Sequence, residues 1–206
     1  AEYGPVTDID ANGRVVIVMS KQINTDNAAG TAQTIGFVNP CDFIARGEGT
    51  DFVHTSNEGE FFYAIAPDPD SVYGQVVDPE PYLEFLPLVI AHEFTHILQF
   101  GRRIVSPTAQ ALMAIFVSEG QATLSEEIVG HAVLSNAARQ NLDLNVALNL
   151  DSLQVYPWYL NPWVDMAYYF GWPADREAPR IEGAPQECTW IASDSNHPCG
   201  GRPLWY

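Results

Sequence analysis

His92-Glu93-Phe94-Thr95-His96 sets two imidazoles four residues apart, with a carboxylate directly after the first. On an α-helix that spacing puts both histidines on one face, where they can point at the same spot. Neutral imidazole nitrogens are zinc ligands, and a Glu at the second position can act as a base beside the metal. The pentapeptide lies in an apolar run from Leu83 to Phe100. Three polar side chains in one turn of an apolar helix are costly to bury unless something holds them, and a cation would satisfy all three. The plainer alternative is a pair of core histidines bonded to the backbone.

A catalytic zinc needs a third protein ligand and an open position for water. The metzincin extension would require Gly at 99 and His at 102, where this chain has Gln99 and Arg102. The other common solution is a Glu from a second helix. Phe116-Val117-Ser118-Glu119-Gly120-Gln121-Ala122 offers one carboxylate in an otherwise apolar stretch beginning at Ala109. Gly101 can close the first helix. Ser106-Pro107 reads as an N-cap followed by Pro at the first helical position of a second helix, running to about Val129. The competing reading of Glu119 is an ordinary surface carboxylate, which the apolar run before it disfavours.

Ala91-His92-Glu93-Phe94-Thr95-His96, then Ser118-Glu119-Gly120 with Glu126 seven residues beyond Glu119, resembles the gluzincin zinc metallopeptidases, and within them the hyicolysin-type neutral metallopeptidases. Asp8-Ile9-Asp10 with Asn12-Gly13-Arg14-Val15, and Ser56-Asn57-Glu58-Gly59-Glu60, each leading a strand, fit the same picture. The resemblance spans roughly residues 5 to 130; Val117-Ser118 stands where that family more often shows Leu-Asn. It implies a zincin-like fold, one zinc ion on His92, His96 and Glu119, and Glu93 as the catalytic carboxylate.

Zinc acidifies its water and polarises a carbonyl, while Glu93 takes the water proton and can pass it to a leaving amine. An oxyanion donor is also needed. The candidates are His131, Tyr156, Tyr159, Tyr168, Tyr169, His197 and Tyr206, and spacing does not choose among them. Glu126 is either a partner of a ligand imidazole or a solvated carboxylate.

The elements that must position these groups read as α+β. Residues 1–78 are β-rich, with strand signals at Arg14–Met19, Thr34–Val38 and Phe61–Ala66. Residues 80–132 hold the two active-site helices, so 1–132 forms the catalytic core. Residues 133–206 form a C-terminal subdomain that completes the cleft, with a helix expected near Ser135–Leu144 and an aromatic, proline-broken stretch from Tyr156 to Trp172. The apolar end Pro203-Leu204-Trp205-Tyr206 suggests processing or truncation. Asp8-Ile9-Asp10-Ala11-Asn12-Gly13 opens like an EF-hand loop, but Met19 stands where the twelfth-position Glu belongs. An Asn-Gly hairpin turn is therefore favoured over calcium (Ca2+).

With 26 acids against 9 bases, the net charge is −17. This argues against nucleic acid and anionic membranes as partners, since both demand basic patches. It suits a secreted protein acting on protein or peptide substrates. Glu84, Pro87 and the histidine turn interrupt the longest apolar run, so no membrane span is expected. Of three cysteines, Cys188 and Cys199 are the favoured disulfide and Cys41 is odd. The leading function is a zinc endopeptidase. A zinc aminopeptidase or amidase, and a non-catalytic zinc-binding protein, remain alternatives.

Overall fold

The computed structural model describes residues 4–29, 34–46, 56–105, 112–113, 115–137, 142–143 and 158–159. The chain gathers into two compact units, Ala1–Leu112 and Met113–Tyr206. It is mixed α and β, with a small three-stranded sheet and three α-helices among the described residues.

In the first unit, β1 (Val16–Ser20) and β3 (Phe61–Ile65) form where β-branched and aromatic residues cluster, and β2 is a short Gly36–Phe37. The order is β1-β3-β2, with β1 parallel and β2 antiparallel to the central β3. Val16 pairs with Phe61 and Ser20 with Ile65. Among the described residues Asn12-Gly13 therefore closes no hairpin. Its strand takes a partner from far along the chain, which a local turn signal cannot report.

Helix α1 (Lys21–Ala29) follows β1 at once, inside the segment read as β-rich. Its Asn, Thr and Asp residues favour caps and turns over helix interiors, which hides it from a propensity reading. Tertiary bonding holds it instead. Asn24 is fully buried and clamps Ala66, donating from Nδ2 to its carbonyl (2.9 Å) and accepting its N–H at Oδ1 (3.1 Å). A 3-10 turn at Pro40–Phe43, capped by Asn39, buries Asp42. The Asp42 carboxylate accepts from the Asn57 N–H (2.8 Å) and the Tyr63 hydroxyl (2.6 Å), tying the segment before β3 to the sheet. Burial and the bond to Asp42 push the Tyr63 phenol up to about 12.

Helix α2 (Pro79–Ile104) begins at Asp78, whose side chain accepts from the Glu80 N–H, with Pro79 at a position where no helical N–H is needed. Pro87 lies inside it and has no N–H to give the Leu83 carbonyl, a loss tolerated on the exposed Leu83 side. Val89 and Ile97 pack with Phe62, Ala64, Val38 and Phe43 to form the main core, and Tyr82 joins a second cluster with Ile23, Ile65 and Val77.

Gly101 does not end this helix, which runs on to Ile104. It is buried, and a Cβ there would come 2.6 Å from Thr7 Oγ1 and 2.9 Å from Thr7 Cβ. The residue is there for close approach. Ala is the better helix former by about 1 kcal/mol, but overpacking costs about 1–3 kcal/mol. Urea unfolding of Gly101→Ala should show a net loss of about 1 kcal/mol. A gain would mean that the Thr7 segment yields freely.

In the second unit, α3 spans Ile115–Val133. It starts later than Pro107, since residues 112–113 are not helical; Ser106-Pro107 lies outside the described residues. A uniformly apolar run has no periodicity from which to place a start. Its buried positions include Ser118, Ala122, Thr123, Ser125 and Glu126, while Leu124 and Ile128 are exposed. Its inward side is thus polar and small. The end is a Schellman arrangement: Asn136 N–H bonds the His131 carbonyl (2.8 Å), Ser135 N–H bonds that of Ala132 (3.2 Å), and Ser135 has φ +58°. That stop excludes Ser135 and Asn136 from the helix expected over Ser135–Leu144; Ala137, Leu142 and Asp143 are not helical either, and the other half of that stretch lies outside the described residues. No helix among the described residues is long and apolar enough to cross a membrane.

Candidate metal centre

Helix α2 carries His92 and His96 one turn apart, their rings edge to face with centroids 5.0 Å apart. Their Nε2 atoms are 3.2 Å from one another. Two nitrogens on one tetrahedral zinc, each about 2.0–2.1 Å from it, stand about 3.3 Å apart. The pair therefore has the spacing that a single small cation requires.

His96 is held by two further residues of its own helix. Its Nδ1 lies 3.1 Å from Gln99 Oε1. In the tautomer that donates from Nδ1 to this oxygen, Nε2 presents a lone pair. Phe100 stacks on the same ring at 5.7 Å and 13°. Gln99 entered the sequence reading only as a departure from another zinc motif; its position three residues after His96, on the same helical face, is the signal for its orienting role.

Glu93 is buried, 6% exposed, in the turn that holds both histidines. Glu119 is half-buried on α3 of the second unit. His92, His96 and Glu119 form a group that could hold a metal ion. The donor set of two nitrogens and one carboxylate fits zinc and does not single it out from other divalent transition metals.

Glu126 is 3% exposed, which removes its reading as a solvated carboxylate. Beside it, Glu127 lies 3.8 Å from His131 Nε2; burial raises its pKa and His131 lowers it, with burial the larger effect. Of the candidate oxyanion donors, His131 and Tyr159 are described. Tyr159 is 1% exposed, accepts from Asn136 Nδ2 (3.0 Å) and meets the His131 ring edge to face. Burial raises its phenol pKa, the Asn136 bond works against this, and the Glu127 charge adds to the rise. Tyr156, Tyr168, Tyr169, His197 and Tyr206 lie outside the described residues, as do Cys188 and Cys199. Cys41 is half-buried and forms no disulfide among the described residues. No family model, no curated protein and no solved structure matches this chain.

Proposed function

We propose that the protein is a secreted, zinc-dependent endopeptidase of zincin-like fold, with His92, His96 and Glu119 as metal ligands and Glu93 as general base. The observation that carries this reading is the His92–His96 pair, with Nε2 atoms 3.2 Å apart and Nδ1 of His96 at 3.1 Å from Gln99 Oε1. The resemblance of the two helical motifs to gluzincins, and to hyicolysin-type enzymes among them, adds the reaction class. When bound, zinc would supply an acidified water and a polarised carbonyl. Gln99 and Phe100 keep the His96 ring from turning. Glu93 accepts a proton from the attacking water and returns it to the leaving amine. A base at that position is not required for a merely structural metal, which favours catalysis over storage.

The test uses chelated and zinc-reloaded protein on an unfolded polypeptide and on short peptides with blocked or free amino ends. Zinc-dependent internal cuts, identified by fragment mass, are the expected result. Release of single terminal residues would make it an aminopeptidase. Zinc binding with no cleavage of any substrate would make it a binding protein.

A further inference from the structure

A second cluster lies wholly within the first unit, away from the histidine turn in sequence. Asp8, Asp10 and Glu60 each offer a carboxylate oxygen, and these oxygens lie within 4.8 Å of one another. Asp8 and Asp10 are exposed, on a loop whose own bonds account for much of its shape: Gly13 N–H donates to Asp8 (3.1 Å), and Asn12 N–H to Asp10 Oδ1 (3.1 Å). Glu60 is different. It is 2% exposed, and only its Oε1 is used, accepting the Ile9 N–H at 2.9 Å. Its Oε2 is buried with no hydrogen-bond partner among the described residues. An ionised oxygen in that position is costly unless a cation or a donor meets it.

The surroundings leave space for this approach. At Gly59 a Cβ would sit 3.0 Å from Asp10 Oδ2, so the neighbour of Glu60 has to be small for Asp10 to come close. Gly13 has φ +67°, the left-handed turn that the sixth position of a calcium loop requires. Asp8, Asp10 and Asn12 fill the first, third and fifth positions of such a loop. What the local sequence lacks is the closing carboxylate, since Met19 stands at the twelfth position. The fold brings Glu60 to the loop from the start of β3.

We propose that Asp8, Asp10 and Glu60 form a calcium site that fastens the loop before β1 to the entry of β3. Three carboxylates and no nitrogen or sulfur donor make a hard-cation site, unlike the histidine-bearing group on α2. Calcium tolerates irregular oxygen geometry, whereas magnesium demands a near-ideal octahedron, so calcium is the preferred ion. The proposal is independent of any peptidase activity.

The full chain, freed of metals by chelation, is titrated with calcium chloride, with magnesium chloride at equal ionic strength as control. Terbium luminescence reads direct occupancy, and circular dichroism follows unfolding. Calcium at a hundred times its Kd should raise the Tm by about 5–10 °C. Glu60→Gln, which keeps an acceptor for Ile9, and Asp10→Asn, on the exposed loop, should lose both the rise and the terbium signal. In chelator both variants should unfold at or above the wild-type temperature. Asp10→Asn decides the matter if Glu60→Gln fails to fold. No saturable response of wild type up to about 10 mM calcium, an equal response to magnesium, or an undiminished response in a folded variant overturns the proposal.

Discussion

Glu93→Gln is expected to keep the fold and the bound metal while turnover falls by several powers of ten. The amide has nearly the shape of the carboxylate it replaces and cannot take a proton. Loss of a general base alone removes about a hundred- to ten-thousandfold in rate. Glu93 would act on both the attacking water and the leaving amine, so the loss should reach or exceed the upper end. Stopped assays with zinc-saturated protein measure this, alongside elemental analysis of the same samples. Turnover near wild type would mean that another base operates and that the buried carboxylate on α2 serves packing. Loss of metal together with activity would make Glu93 a ligand.

The second large effect concerns the metal itself. One ion per chain is expected in wild type and in Glu93→Gln, and none in His96→Ala after dialysis against free buffer. Glu119→Ala should lower affinity by more than the 10–100-fold that removal of an outer partner typically costs. Gln99→Leu provides that outer-partner comparison, because it releases the His96 ring without removing a ligand. Undiminished metal in Glu119→Ala would leave the two histidines as a ligand pair in need of another third member.

Helix α2 could be read from the chain because its signals are local: an apolar run and, within it, two histidines one turn apart. β1 and β3 were also legible within a residue or two, from β-branched and aromatic clustering. What escaped depends on distant partners. α1 is built from poor helix formers and is secured by Asn24 bonding Ala66. Gly101 looks like a helix stop until Thr7 is placed against it. The Asp8–Gly13 loop looks like a hairpin turn until β3 brings up Glu60. Glu119 stood out as a lone carboxylate in apolar sequence, yet α3 turns a polar side inward and leaves Leu124 and Ile128 exposed. In that helix the average composition misled.

The strand order also sets a timetable. β3, the central strand, is the last of the three to be synthesised, and β1 and β2 each hydrogen-bond to it. Neither edge strand has a sheet to join until Phe61–Ile65 has left the ribosome, and Val89 and Ile97 of α2, which complete the core around Phe62 and Ala64, come later still. Joining Val16 to Phe61 closes a long loop before any ladder bond repays it, a step that slows folding relative to local helix formation. A nascent chain arrested just short of β3 should therefore hold its first sixty residues open to protease, and the same chain extended through α2 should abruptly resist it.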